Sequence, residues 1–259
     1  MGDFRRHRIG GSVTTIAVMA DIHGNSWALD AVLADIKRRG ITTIINLGDH
    51  VYGPINPAAT IQQVMSTPMI NISGNEDRCL LLPENEAGNF SSYHFTRSQL
   101  NVEQLTWLET LPPTAIVGDI FCCHGTPESD TTYMLETVRQ NGVSLTTTTR
   151  IQAFLQGITQ PVIVCGHTHI PRTVWLPDGR LMLNPGSVGL PAYDDDQPYP
   201  HVMEAGSPHA RYAILDETTS GWNVEHIALV YDWAQAAAAC RQNGREDWAC
   251  WIETGRASL

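Results

Sequence analysis

The spacing of apolar residues changes twice near the start of the chain. Thr14–Ala20 is a short apolar run typical of a buried strand, and Thr42–Leu47 is another. Between them, the apolar residues of Ser26–Arg39 recur at the three- and four-residue spacing of one helix face. The three segments predict a strand–helix–strand unit, in which the two strands run parallel.

Short elements of both kinds are predicted along the rest of the chain. The further helices are Pro57–Ser66, Val102–Leu111, Asp232–Arg241 and Glu246–Ile252. The further strands are Pro68–Ile72, Ala115–Val117, Ile120–Cys123, Pro161–Cys165, Thr173–Leu176, Arg180–Leu183, Arg211–Leu215 and Val224–Val230. Turn residues between two pairs of these strands, at Gly118–Asp119 and Asp178–Gly179, predict hairpins.

Two polar, poorly periodic stretches are predicted to be loops. Leu80–Ser98 is expected to be a loop with at most a short helix. Tyr193–Pro208 (residues 193–208) is expected to be a long loop. The chain shows no repeat and no linker, so we expect residues 1–259 to form a single α/β domain. Strand–helix–strand units followed by hairpins indicate two packed sheets with helices outside.

The amino-acid composition limits the kinds of molecule that the protein is expected to bind. The net charge is -11 and the pI is near 5.2, which argues against an extended nucleic-acid surface. A small phosphate ligand remains compatible, because bound metal ions can supply local positive charge. Residues 1–12 are expected to be a flexible basic leader. The six cysteines form no CxxC pair and are expected to be reduced core thiols, and no segment approaches a membrane helix, so we expect a cytoplasmic protein.

Predicted strands repeatedly end in a side chain that can bind a metal ion. Sites in α/β sheets form beyond the carboxyl ends of parallel strands. The residues are Asp21, His23, Asp49, Asn75, His124, His167 and His169. Seven oxygen and nitrogen ligands without a thiolate suit two divalent ions, for which Mn, Fe, Zn, Ni and Co are candidates and Mn is favoured.

Spacing adds detail to this prediction. Asp21 and His23 are two residues apart, so on an extended segment they point the same way. His167 and His169 also share a face, and they could serve one ion each or the same ion. Asp49 can bridge two ions, because a carboxylate has two oxygens.

The ordered motifs resemble those of the calcineurin-like metallophosphoesterase superfamily, and most closely its small bacterial members that lack the histidine of the third motif. The motifs are Asp21-Ile22-His23-Gly24-Asn25, Gly48-Asp49, Gly74-Asn75-Glu76-Asp77, His124-Gly125 and Gly166-His167-Thr168-His169. The resemblance covers roughly residues 16–190 and implies a four-layer αββα sandwich with two mixed sheets. It also implies a hydrolase in which a hydroxide bridging the two ions attacks phosphorus.

The resemblance further implies how the two ions are held. One ion would be bound by Asp21, His23, Asp49 and His169, and the other by Asp49, Asn75, His124 and His167. Asp49 would bridge them.

The third motif departs from the common family pattern at Glu76, where many members have histidine. We expect Glu76 to be ionised at neutral pH and a poor proton donor, because nearby cations favour the carboxylate. Phosphodiesters or phosphoanhydrides of nucleotide-like small molecules are therefore the expected substrates, with Asp49, Asn75, Glu76 and His124 as catalytic residues. His50 and His94 are alternative proton donors.

Other assignments remain open. Asn75, His124 and Arg172 are expected to contact the substrate phosphate, and Tyr193–Pro208 either borders the site or is a solvated loop. One alternative function is a phosphomonoesterase, including a protein phosphatase. Another is a non-catalytic metal-binding scaffold, which is disfavoured because all seven ligand positions are filled. The oligomeric state is open.

Overall fold

The computed structural model describes residues 15–86 and 91–258, and the predicted leader at residues 1–12 lies outside them. The helices of the described chain are α1 (Ser26–Arg38), α2 (Pro57–Ser66), α3 (Asn75–Cys79), α4 (Ser91–Gln99), α5 (Val102–Glu109), α6 (Thr148–Phe154), α7 (Trp233–Gln242) and α8 (Glu246–Thr254). None of these helices has the length and apolar character needed to cross a bilayer.

Most strands are short, as the predicted apolar runs are. The strands of the described chain are β1 (Thr15–Met19), β2 (Thr43–Asn46), β3 (Ile70–Asn71), β4 (Thr114–Val117), β5 (Ile120–Cys123), β6 (Glu136–Arg139), β7 (Gly142–Leu145), β8 (Val162–Val164), β9 (Arg172–Trp175), β10 (Leu181–Asn184), β11 (Ala192–Asp195), β12 (His201–Glu204), β13 (Ala210–Thr218) and β14 (Gly221–Leu229).

Ten of these strands form two five-stranded mixed sheets. The first sheet has the order β14-β13-β1-β2-β3, with β1, β2 and β3 parallel and β13 antiparallel to β1. The second has the order β4-β5-β8-β10-β9, with β5, β8 and β10 parallel. The prediction of two mixed sheets is confirmed.

Alternation along the strands sorts side chains between the layers. Ile16 and Val18 of β1 face the second sheet and pack with Val162 and Leu181. Ala17 and Met19 face the other way, onto the apolar stripe of α1. On the outer face of the second sheet, residues of β5 and β8 pack against α6. The layers are thus helix, sheet, sheet and helix, as predicted.

Several elements differ from the sequence-based expectation. Tyr193–Pro208 is not a long loop, because β11 and β12 form an antiparallel hairpin within it. Leu80–Ser98 contains α4, which buries Tyr93 and its hydroxyl bond to the Leu82 carbonyl. The β6–β7 hairpin and α6 were not predicted, although Asn141–Gly142 is a strong hairpin signal.

The cysteines also depart in part from the expectation of core thiols. All six are free, but only four of them are buried, whereas Cys79 is half-buried and Cys250 is exposed.

Gly48 allows the chain to turn at the end of β2. Its φ is +101°, and a Cβ at this position would meet the backbone of Ser73 and Gly74. Its carbonyl also accepts a 3.0 Å hydrogen bond from the Asp21 amide. Any side chain here would strain the backbone and push apart the turns that follow β2 and β3.

We expect Gly48→Ala to lower the free energy of unfolding by about 3 kcal/mol, combining left-handed backbone strain with overpacking. Urea unfolding of metal-free protein measures this loss without a contribution from ions. Gly118→Ala is the matched control: Gly118 has a φ of +59° but open space around it, so we expect a loss of about 1 kcal/mol. Equal losses for the two variants would contradict the steric argument.

Candidate metal centre

The seven predicted ligand residues converge where the parallel strands of the two sheets end. Asp21 and His23 follow β1, Asp49 follows β2, and Asn75 opens α3 after β3. From the second sheet, His124 follows β5, while His167 and His169 follow β8. Their donor atoms fall into compact groups that include Asp21–His23–His169 and Asp49–His124–His167.

Left-handed backbone is concentrated in these residues. Among the described residues other than glycine, positive φ occurs at five positions, all of them candidate ligands: Asp21 (59°), His23 (52°), Asp49 (56°), His167 (71°) and His169 (59°). Each such residue costs on the order of 1–3 kcal/mol, and strain of this kind persists where the surrounding structure enforces it. The strain turns each side chain back toward the gap between the sheets.

Backbone carbonyls determine which nitrogen each histidine presents. The Nδ1 atoms of His23, His124 and His169 donate to the carbonyls of Tyr52 (3.1 Å), Leu47 (2.7 Å) and Leu190 (2.6 Å), respectively. His167 is reversed, and its Nε2 lies 3.2 Å from the Thr131 carbonyl. The first three rings therefore present Nε2 to the centre, and His167 presents Nδ1. Hydrogen bonds of this kind orient metal-binding histidines.

The first group of donors is tightly packed. His23 Nε2 lies 3.0 Å from His169 Nε2, and His169 Nε2 lies 3.5 Å from Asp21 Oδ1. Burial lowers the pKa of His23, but Glu76 and Asp49 outweigh it and raise the pKa to about 9. Burial lowers the pKa of His169, which stays below its usual value. A proton on His23 thus points at the lone pair of His169.

The second group is arranged in the same way around His124. Its Nε2 lies 3.0 Å from Asn75 Oδ1 and 3.2 Å from Asp49 Oδ2. Burial lowers the pKa of His124, but Asp49 and Asp21 outweigh it and raise the pKa to about 10. Burial and the neighbouring His124 lower the pKa of His167 to about 4.

These residues fit divalent cations. Asp21 and Asp49 are 0% and 2% exposed, and within the described chain no lysine or arginine forms an ion pair with either carboxylate. Buried carboxylates need positive charge nearby. In the metal-free protein, protons on His23 and His124 supply this positive charge. The His23 Nε2 faces a nitrogen of His169, and the His124 Nε2 faces oxygens of Asn75 and Asp49. Divalent ions would take over that role when bound.

Asp77, a residue of the third motif to which the sequence alone assigned no role, holds the turn that carries Asp49. Its carboxylate accepts hydrogen bonds from the backbone amides of Asp49 (2.8 Å), His50 (3.0 Å) and Gly74 (2.9 Å). The Glu76 amide in turn donates to Asp49 Oδ1 at 2.9 Å. The sequence did carry a signal for this role of Asp77. It lies three residues after Gly74, and aspartates close to a turn often accept hydrogen bonds from nearby backbone amides.

A cavity of about 610 Å³ opens over the centre. His23, Asp49, Asn75, His167 and His169 lie at its floor, whereas Asp21 and His124 lie behind them and do not line it. Residues that sequence reasoning did not identify form the walls: Tyr52, Ser92, Tyr133, Arg245, Trp248 and Trp251. This volume is typical of a small-molecule site.

Glu76 lies in the cavity beside the first group of donors. Its Oε2 is 3.0 Å from His23 Nδ1. Burial raises the pKa of Glu76 to about 7, although His23 opposes the rise. Its carboxylate therefore lies within reach of both a candidate ligand and a bound molecule.

The structure does not bring three other candidates to the cavity. Arg172 does not line it, because its Nε donates to the buried Glu136 carboxylate at 2.5 Å. His50 is fully buried, with Nδ1 2.8 Å from Asp77. His94 lies by a separate surface pocket and pairs with Glu84. Each is held elsewhere by a carboxylate.

The β11–β12 hairpin borders the cavity instead. Tyr193, Asp194 and Asp195 line it, and the Tyr193 hydroxyl donates to the His167 carbonyl at 3.1 Å. Of the two alternatives for Tyr193–Pro208, the structure therefore favours a segment that borders the site, and it does so through β11. Asp196, by contrast, is exposed and does not line the cavity.

Comparison with known proteins agrees with this arrangement. A family model described as a calcineurin-like phosphoesterase superfamily domain matches residues 15–205. An uncharacterized protein from Methanocaldococcus jannaschii is 30% identical over 248 residues, covering 90% of this chain and 94% of the relative. The crystal structure of a metallophosphoesterase from Sphaerobacter thermophilus superposes with a TM-score of 0.74 and 26% identity, covering 95% of this chain and all of that one.

Metal binding at pH 7 should release about two protons per chain, because ligands must be deprotonated and His23 and His124 carry the raised pKa values. Titration calorimetry in buffers with different ionisation enthalpies measures this number. The lowered pKa values of His167 and His169 add nothing at this pH.

The sign of the pH dependence follows from the same shifts. Folding raises the pKa of His23 and His124, so their contribution to stability is complete below an unfolded pKa of about 6.5. In metal-free protein it is lost as pH rises through about 9 and 10. Metal affinity should increase over the same range. Proton release that stayed near zero at pH 7 would contradict this protonation pattern.

Proposed function

Because the chain belongs to the calcineurin-like phosphoesterase superfamily, we propose that it hydrolyses phosphodiesters or phosphoanhydrides of small molecules at a dinuclear metal centre. The observation that carries the proposal is the pair of donor groups, Asp21–His23–His169 and Asp49–His124–His167, of which His23, Asp49, His167 and His169 line one cavity. Family membership itself makes the chain a metal-dependent phosphoesterase.

Asp49 belongs to the second group and its carboxylate also lies within 4.8 Å of a His23 nitrogen of the first, which supports it as the proposed bridge. One ion would be held by Asp21, His23, Asp49 and His169, and the other by Asp49, Asn75, His124 and His167. When bound, two divalent ions lower the pKa of water and neutralise phosphoryl charge. Manganese is the favoured identity, since oxygen and nitrogen donors without thiolate accept it.

The protein's own residues position the substrate. Asn75 Oδ1 faces His124, so its amide N–H groups are free to donate to a phosphoryl oxygen in the cavity. In the metal-free protein His124 Nε2 holds that oxygen in place; with the second ion bound, both Nε2 and Oδ1 would ligate it, so the ion would orient the amide instead. The cavity suits a small molecule, and it is also lined by the exposed Asp194 and the half-buried Asp195. These carboxylates disfavour ligands with negative charge on that side.

Glu76 governs which leaving groups the site accepts. Its carboxylate contacts His23, and bound divalent ions would favour its ionised form over the protonated form that burial favours. An ionised Glu76 cannot protonate a departing alkoxide, and its charge repels dianionic monoesters. Aryl diesters and phosphoanhydrides need no proton on the leaving group, so they are the proposed substrates.

Metal content and turnover of bis(4-nitrophenyl) phosphate test this function together. Wild-type protein should bind about two ions per chain, and Asp49→Asn should bind fewer than one and lose at least about a hundredfold in kcat/KM. Asparagine keeps the shape of the side chain and tolerates a φ of 56°. Elemental analysis showing well under one ion in metal-replete wild-type protein would refute the dinuclear proposal.

Replacing Glu76 should change the ratio of activities rather than activity alone. We expect Glu76→His to raise activity on alkyl phosphomonoesters relative to aryl diesters by about tenfold or more, because a placed general acid contributes at least that much. Glu76→Gln is the control that removes the charge without supplying an acid. If the native enzyme prefers alkyl monoesters and Glu76→His leaves the ratio unchanged, the assigned role of Glu76 is wrong.

A further inference from the structure

Acidic side chains outnumber basic ones among the residues that line the cavity. Four carboxylates line it, namely Asp49, Glu76, Asp194 and Asp195. Among the described lining residues, Arg245 alone is a lysine or arginine. It stands just before α8, which lies outside the residues matched by the family model. An anionic ligand that extends beyond the metal centre therefore meets a cation in one direction.

Arg245 is held close to the centre by the indole of Trp248. The guanidinium carbon lies 5.3 Å from the centre of the Trp248 ring. The same indole packs edge-on against His23, with ring centres 5.9 Å apart. Trp248 is only 5% exposed, so it is a fixed spacer. The guanidinium thus lies one indole away from a candidate metal ligand.

The remaining contacts of Arg245 leave room for a ligand. Its Nη1 donates to the Ser92 hydroxyl, and its Nε and Nη2 donate to Asp247 at 2.9 Å and 2.6 Å. A guanidinium has five N–H groups, so each terminal nitrogen retains a free donor. The Arg245 and Asp247 side chains are 22% and 43% exposed, so solvent screens their two-pronged ion pair in part, and the free donors of the guanidinium remain available beside it. An arriving phosphate can therefore recruit the guanidinium in a forked, charge-assisted contact.

We propose that Arg245, with Ser92 and Trp248, forms a subsite for a second phosphoryl group, so that the substrates are phosphoanhydrides. This inference rests on the proposed function and selects one of its two substrate classes. The two phosphoryl groups of an anhydride share one oxygen and lie close together, and Arg245 and the candidate metal ligands line the same cavity that would hold both.

The subsite also accounts for a leaving group that needs no proton. In the hydrolysis, an oxygen of water bonds to the reacting phosphorus and the P–O bond of the anhydride bridge breaks. The departing phosphate leaves with that electron pair, and the water proton passes to solvent. Arg245 balances the added charge on the departing phosphate. Glu76 then does not hinder departure of the leaving group, because no proton has to be supplied, and the Arg245 guanidinium offsets part of the charge that the lining carboxylates set against an anionic substrate.

Two substrates and one control arginine test the subsite in the metal-loaded full chain. The probes are ADP, which carries a second phosphoryl group, and bis(4-nitrophenyl) phosphate, which does not. Arg245→Ala should raise the KM for ADP at least tenfold and change that for the diester less than twofold. Arg245→Lys should restore part of the loss. Arg241→Ala is the matched control: Arg241 pairs with Glu246 and Glu253 on the same helix pair and does not line the cavity.

Calorimetry with α,β-methylene ADP supplies a readout independent of turnover. Its dissociation constant should rise at least tenfold in Arg245→Ala and stay unchanged in Arg241→Ala. Diester turnover without ADP hydrolysis or analogue binding would overturn the subsite and leave the proposed function standing. Equal losses on ADP and the diester would reduce Arg245 to a structural role and also overturn it. Metal-dependent turnover of neither substrate would overturn the proposed function.

Discussion

Two buried carboxylates that have no lysine or arginine partner among the described residues are the constraint on which this structure depends. Asp21 and Asp49 are removed from water between two sheets, where histidines are their ion-pairing partners and Glu76 places a further carboxylate beside Asp49. Positive charge must therefore arrive as protons on histidine or as divalent ions. The left-handed turns, the carbonyls behind each ring and the amide bonds to Asp77 all serve to bring that charge to the carboxylates. They are costly in isolation, and they are retained because the buried carboxylates require them.

Much of the fold and of the ligand set follows from local sequence patterns. The strand ends at Asp21, Asp49, His124 and His167 are readable because buried apolar runs stop there and parallel strands end at one edge. The β11–β12 hairpin was missed because Tyr193 is followed by three aspartates, and its strands pair only with each other. The buried positions of the hairpin are Ala192, His201 and Met203, so a small residue and a polar one interrupt the apolar alternation that marks a strand.

The positions of Arg172 and Arg245 show a different limit. Arg172 is close to His169 in sequence, but β9 leads it away from the cavity and onto Glu136. Arg245 is far from every ligand in sequence, and only the packing of α8 against His23 and Gly53 brings it to the cavity. Closeness in sequence to a ligand wrongly suggested that Arg172 contacts the site, and it gave no indication that Arg245 does. Docking of a helix onto a loop depends on tertiary packing, which periodicity does not encode.

The centre also joins the two sheets mechanically. Asp21, Asp49 and Asn75 come from one sheet, and His124, His167 and His169 come from the other. Hydrogen bonds from the His167 amide to Asp21 and from His124 to the Leu47 carbonyl already cross that boundary, at 3.2 Å and 2.7 Å. Much of the remaining boundary is apolar and resists shear through its packing, with a 2.9 Å contact between Thr173 of β9 and His226 of β14 at one edge. Ions bound at the centre would fasten one sheet to the other, so metal supply would set the heat tolerance of the fold as well as its chemistry.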